Sequence, residues 1–344
     1  MKVLLTGGEG YIGAVLGPLL LEAGHDVSVY DAGFHRVGWL YDGVASAPMW
    51  RRLDTRHLAP ADLEGFEAVV HLADLSNDPV GELNPELTFD INHRATIELA
   101  RLAKQAGAER FVYSSSCSVY GASGEDESEL SDETSPTAPL TAYARCKVMV
   151  EDDLRPMADA SFTPVFLRNA TAYGASPRMR FDLVVNELTA MGYLNRRLVL
   201  QSDGTPWRPL VHIRDISKAM MCALTAPADV VRAEAFNVGD TSANYQVRDI
   251  CHIIGQEIEG CVVELGDQGG DRRNYRVDFT KINTVLPGFS CDWDVRRGVV
   301  ELREIFDRIH FEPSLLDARA HRRLKQIRYL LDTDQVDDQF FWKV

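Results

Sequence analysis

The chain has 344 residues, 45% of them apolar, and carries 36 Lys and Arg against 51 Asp and Glu, a formal net charge of −15. That length and apolar content suit a globular fold with a real core, either two domains or one large domain with an appended lobe. The acidity argues against nucleic acid or an anionic membrane surface as partner, since both need a basic footprint, and no apolar run reaches the roughly 18 residues of a bilayer span.

Val3–Leu5, Val27–Tyr30, Ala68–Leu72 and Arg110–Tyr113 predict strands. They are apolar on both faces, as parallel strands covered by helices should be. Helical stretches alternate with them. The clearest is 91–106, where Ile91, Ala95, Leu99 and Leu102 share a face and Gly107 offers a stop. This alternation predicts an α/β fold, a Rossmann-type doubly wound parallel sheet over 1–174, with part of 208–240 returning to it. Residues 121–141 read as an acidic loop. From 175 to 344 turn residues, arginines and mixed short elements predict a smaller C-terminal lobe. Its tail, Ala318–Leu331, reads as a polar amphipathic helix with Leu324, Ile327, Tyr329 and Leu331 among arginines. The six cysteines are scattered with no CxxC pair, so neither a metal site nor a disulfide framework is expected. The opening apolar stretch is too short for a signal peptide, and a cytoplasmic location is the expectation.

The first strand runs into Thr6-Gly7-Gly8-Glu9-Gly10-Tyr11-Ile12-Gly13. Glycines spaced Gly7-x-x-Gly10-x-x-Gly13 let a backbone approach a pyrophosphate, and the next helix aims its N-terminal amides at it. In the first strand–turn–helix of a βαβ unit this predicts a dinucleotide site. Pro18 inside that helix should kink it. Asp31 ends the second strand, where a carboxylate accepts hydrogen bonds from ribose hydroxyls and repels a 2′-phosphate. NAD is therefore expected over NADP, a preference that Arg36 nearby softens.

Tyr143-Ala144-Arg145-Cys146-Lys147 puts Tyr and Lys four apart on one helix face. The ammonium favours a phenolate, the form that acts as a base. The segment Ser114-Ser115-Ser116-Cys117-Ser118 places hydroxyls just past a parallel strand, where such sheets bind ligands.

Together these segments resemble the extended short-chain dehydrogenase/reductases of the NAD-dependent nucleotide-sugar epimerase/dehydratase kind, UDP-glucose 4-epimerase-like. The matches are the TGGEGYIG loop, Asp31, His71-Leu72-Ala73, Asn92, SSSCSVYG, YARCK and the later RPLVHIRD, from residue 6 to about 297. The resemblance implies a catalytic Ser116, a base Tyr143 and an activating, ribose-binding Lys147. It implies backbone contacts to the pyrophosphate from Tyr11 and Ile12. It puts Asp54 and Thr55 beside the adenine, and Leu72, Ala73 and Asn92 along the cofactor channel.

Family dehydratases carry Thr-Asp-Glu where this chain has Ser116-Cys117-Ser118, so dehydration is not expected unless Cys117 donates protons. A 4-epimerase, oxidising transiently at sugar C4 and regenerating its NAD, is the leading expectation. A 4-keto-sugar reductase and a silent NAD-binding sensor are the alternatives. A nucleotide-diphosphate-sugar substrate needs cations. Arg168, Arg178, Arg180, Arg196, Arg197 and Arg208 fall between 166 and 213, against Asp182, Glu187 and Asp203. Asn186, Arg180, Arg208 and Arg272 match substrate-binding positions of the family. Departures at Thr171, Gln268 and YARCK leave base and sugar open. The helices near Ile91–Ala106 and Tyr143–Arg155 resemble a pair that bundles with a second copy, implying a homodimer.

Overall fold

The computed structural model describes residues 1–42, 47–121, 130–268 and 274–343. Among them, β1 (Lys2–Thr6), β2 (Asp26–Asp31), β3 (Met49–Arg52), β4 (Ala68–His71), β5 (Arg110–Ser116), β6 (Thr163–Asn169) and β7 (Ala235–Val238) form one sheet. Its order is β7-β6-β5-β4-β1-β2-β3, with every pair parallel. The strand order reverses beside β1, and the cleft opens there at the carboxyl edge.

Strand alternation explains the two covered faces. Val3 and Leu5 pack with Leu16 and Leu20 of α1 (Gly13–Glu22). Leu4 points the other way, into a cluster with Leu99 and Leu102 of α2 (Ala95–Gln105) and Val150 and Leu154 of α3 (Ala142–Leu154). Ile216, Ala219 and Met220 of α4 (Ile213–Thr225) complete the first face. Fully burying one such leucine contributes roughly 1.5–3 kcal/mol.

Several local expectations change. β5 does not stop at Tyr113; it continues through Ser116, which pairs with Asn169 of β6. The ladder uses backbone groups, so serines at the carboxyl edge do not end it. The helix at 91–106 starts as a π turn over Asp90–Arg94 before α2. α1 runs through Pro18 without a break. Within 121–141, Leu130–Ser131 pairs in parallel with Arg276–Val277; Gly124 and the acids of 122–129 lie outside the described residues.

In the second half, Thr171–Tyr173, Trp207–His212 and Asn244–Gln246 form a small sheet, and Arg197–Ser202 pairs with Val262–Gln268. Val185, Leu188, Leu198, Leu210, Ile250 and Ile254 hold these pieces together. The tail forms α5 (Arg323–Asp332), whose buried side is Arg323, Gln326, Ile327 and Leu330, while Tyr329 is exposed. The polar-helix reading is corrected here: an arginine and a glutamine lie on the inner face. No helix among the described residues is long and apolar enough to cross a membrane.

Candidate active site

A cleft of about 650 Å³ runs along the carboxyl edge of the sheet. Gly7, Gly10, Tyr11, Ile12 and Gly13 form its floor at one end. Gly7 has φ +74°, and a Cβ there would sit 2.7 Å from the backbone between Leu72 and Ala73. A Cβ on Gly13 would sit 2.4 Å from Gly8 Cα. Only glycine lets the loop lie this flat against the strand ends. The N-terminal, partially positive end of α1 lies at this loop, with Gly10, Tyr11, Ile12 and Gly13 all lining the cleft.

Asp31 lines the same end. Its carboxylate accepts from the Gly33 amide at 2.7 Å and the Glu9 amide at 3.1 Å. Burial raises its pKa, and those two bonds oppose the rise. Arg36 turns away from the cleft, donating to Glu9 at 3.1 Å and covering the Trp50 ring. Thr55 and Asp54 reach the cleft, but Asp54 caps its own turn, with Arg56 Nη2 at 2.6 Å and the Arg56 amide at 2.9 Å.

Ser116, Tyr143 and Lys147 line the middle, with Leu72 and Ala73 beside them. Ser116 Oγ accepts from the Ser118 amide at 3.1 Å. Lys147 Nζ lies 5.3 Å from the centroid of the Tyr143 ring. The ammonium donates to Ser114 O and, at 2.5 Å, to Asp74 Oδ2. Both side chains of that ion pair are only 3% exposed. Burial pulls the Lys147 pKa down, the Asp74 charge raises it, and the balance is upward. The other Asp74 oxygen is buried without a hydrogen-bond partner among the described residues.

Asp74 follows His71-Leu72-Ala73 directly, yet nothing local marks it. Its meaning comes from a lysine 73 positions later. His71 lies next to it with Nδ1 2.6 Å from Thr6 Oγ1 and Nε2 2.8 Å from Thr96 Oγ1. Burial brings its pKa down to about 4, against the pull of Asp74, so the ring is neutral at pH 7. With Asp74 neutralised, the Lys147 charge acts on the cleft uncompensated. Asp74→Asn breaks a buried ion pair from one side, so folding stability is expected to fall by about 3–5 kcal/mol in urea denaturation, and a loss below about 1 kcal/mol overturns the importance of the pair.

Two expected site residues are placed elsewhere. Asn92 is buried off the cleft; its amide accepts from Leu75 N at 2.8 Å and donates to Leu75 O at 3.1 Å, clamping the loop that does line it. Asn186 is equally buried. It accepts from Gly174 N at 2.9 Å and donates to Arg180 O at 3.0 Å and Tyr11 Oη at 3.2 Å. Arg180 and Arg208 do line the cleft. Arg180 is held by Asp182, with Nε 2.9 Å from Oδ1. Arg272 lies outside the described residues.

Three of the remaining arginines of 166–213 leave the cleft for acids drawn from other parts of the chain. Arg168 pairs with Glu151 at 2.7 Å, Arg178 with Glu9 at 3.0 Å and Arg197 with Glu264 at 2.6 Å. Arg196 ends its helix in the left-handed region at φ 51°. Cys117 is fully buried, its thiol donates to Arg168 O at 3.0 Å, and burial pushes its pKa well up. It does not line the cleft. The site also gains residues that the motifs do not announce, among them Asp74 and, from the tail, Arg323.

Residues 3–239 match the model of the NAD dependent epimerase/dehydratase family. The chain is 28% identical over 328 residues to UDP-glucose 4-epimerase of Erwinia amylovora, covering 88% of this chain and 95% of that one. Among solved structures, MoeE5 in complex with UDP-glucose and NAD superposes with a TM-score of 0.75 at 25% identity, over 90% of this chain and 100% of that one. TunA, an NAD-dependent NDP-hexosamine 5,6-dehydratase, superposes with a TM-score of 0.76 at 23% identity over 89% and 98%, a likeness of fold.

Proposed function

This chain belongs to the NAD-dependent epimerase/dehydratase family, within the extended short-chain dehydrogenase/reductases, and on that premise we propose that it is a nucleotide-sugar 4-epimerase. Its cofactor is NAD. The cleft suits that group: glycines keep side chains off the α1 N-terminus, and Asp31 waits at the end of β2. Gly7, Gly10, Tyr11, Ile12 and Gly13 would hold the pyrophosphate, Asp31 the adenosine ribose, and Lys147 the nicotinamide ribose. Bound NAD supplies the acceptor, and then the donor, of a hydride at sugar C4.

The rest is done by side chains. Tyr143 takes the proton of the 4-hydroxyl and returns it to the oxygen once the other face of the sugar is presented. Lys147 holds its ammonium beside the Tyr143 ring, 5.3 Å from the centroid. Asp74 and Ser114 O fix where that charge sits. Ser116, its Oγ oriented by the Ser118 amide, hydrogen-bonds the same sugar oxygen. Arg208 and Arg180 serve the substrate diphosphate from the second-half lobe.

One observation carries the preference for epimerisation. Ser116, Tyr143 and Lys147 share a cleft with the glycine loop, while the two positions after Ser116 hold a buried thiol and a serine rather than carboxylates. The test is turnover of UDP-glucose and related nucleotide sugars by protein that retains NAD⁺. Interconversion without added NADPH is expected. Stoichiometric NADPH consumption on a 4-keto nucleotide sugar overturns the reading in favour of net reduction. We also propose a homodimer through the outer faces of α2 and α3, which carry Glu98 and Arg101 beside Arg145, Met149 and Asp152. A monomer mass by light scattering at micromolar concentration overturns it.

A further inference from the structure

The tail after Ala318 returns to the first half and packs against the segments that border the adenosine end of the cleft. Ile327, Leu330, Val336 and Phe340 pack with Leu75, Val80, Leu87 and Ile91. Gln326 Nε2 donates to Phe34 O at 2.8 Å, and Trp342 Nε1 donates to Ala32 O at 2.7 Å. Trp342 stacks on Phe34 with centroids 5.9 Å apart, and Phe341 stacks on His57 at 4.6 Å. Arg56 donates to Gln339 O at 2.7 Å. These contacts grip both segments that border the adenosine end, the one after Asp31 and the one after Asp54.

At the start of α5, Arg323 is 4% exposed and lines the cleft. Among the described residues its side chain makes no hydrogen bond or ion pair. The nearby acids are already used. Asp182 is held by Arg180 and by Asn77 Nδ2 at 2.8 Å, Glu9 by Arg178, and Asp31 by two backbone amides. Burial, then the neighbouring Arg180, bring the Arg323 pKa down to about 9, with Asp182 and Asp31 pulling the other way. A guanidinium so placed is costly unless an anion enters beside it. Arg178 bonds Glu9 of the glycine loop, and Asp31 bonds the Glu9 amide. Arg323 thus lines the cleft within electrostatic reach of Asp31, which is itself bonded to the glycine loop.

We propose that the C-terminal tail is a strap over bound cofactor and that Arg323 is its anion contact, taking the diphosphate of the dinucleotide, so that release of cofactor requires the tail to lift. The proposal rests on the NAD reading but not on epimerisation. A charge-assisted contact of this kind is typically worth a factor of about 10 or more in affinity.

The test uses the full chain, stripped of cofactor, with calorimetric titration. In Arg323→Gln the Kd for NAD⁺ and for ADP-ribose is expected to rise about 10-fold or more, while the Kd for UDP stays within a factor of about two of wild type. The melting temperature without ligand is expected to hold or rise, because a buried unpaired charge is gone, whereas a purely structural arginine would lower it. Trp342→Ala supplies a second route: faster NAD⁺ dissociation in stopped flow with the chain still folded. Unchanged NAD⁺ affinity in Arg323→Gln, or loss of UDP rather than NAD⁺ binding, overturns the assignment. If Arg323→Gln does not fold, an unchanged dissociation rate in Trp342→Ala overturns the strap. A wild-type chain that binds no NAD⁺ would sink the cofactor reading itself, a result distinct from the others.

Discussion

Tyr143→Phe is expected to lower kcat by about 10²–10⁴-fold, the usual contribution of a positioned proton-transfer group. The ring stays, so its packing on α3 and its place over Lys147 stay too. NAD⁺ affinity should change little, because the change removes only the hydroxyl that moves the proton. The loss should therefore appear in kcat and kcat/KM together, as expected for an interaction made in the transition state. Steady-state rates with a nucleotide sugar, alongside titration with NAD⁺, check this. A variant that keeps most of its turnover would remove Tyr143 from the proton transfer.

Glu151→Ala is expected to cost about 3–5 kcal/mol of folding stability, the range for breaking a buried ion pair from one side. Arg168 of β6 donates from Nε at 3.0 Å to Glu151 Oε1 and from Nη2 at 2.7 Å to Oε2. Ser115 Oγ adds a third donor at 2.6 Å. Both ionic side chains are nearly inaccessible, at 6% and 3% exposure, so the abandoned guanidinium has little water to turn to. Arg155, 3.6 Å from the same carboxylate, is itself a surface group and does not replace it. Urea denaturation with an unchanged m-value measures the loss. Glu151→Leu combined with Arg168→Met should recover most of it, since apolar replacement of a whole buried pair is often neutral. A single-variant cost below about 1 kcal/mol would mean the pair is far better hydrated than its burial implies. The consequence reaches the site, because Glu151 stands on the helix that carries Tyr143 and Lys147 and ties it to the sheet.

What could be read from the chain beforehand follows the range of the physics. The glycine loop was legible because its requirement is local: a positive φ at Gly7 and a backbone approach at Gly13. Tyr143 and Lys147 were legible because a helix brings positions four apart together. The arginines were not. A count over 166–213 sees Asp182, Glu187 and Asp203 but cannot see Glu151, Glu9 or Glu264, which reach in from distant elements. Asn92 and Asn186 sit where motifs put polar groups, yet each spends its amide on a neighbouring loop. Asp74 and Arg323 escape for the same reason in reverse. Each is an ordinary charged residue until the fold supplies, or withholds, its counter-charge.

The hydrogen bond from Trp342 to Ala32 joins residues 310 apart in sequence. Contacts of such span are slow to form, because chain closure must precede any reward from them. During synthesis the glycine loop and Asp31 leave the ribosome early, and the segment that roofs them leaves much later. For that interval the adenosine end of the cleft is uncovered in the nascent chain. Cofactor capture and completion of the fold are thereby ordered in time: the nucleotide can enter an open groove, and the tail, made later, closes against it.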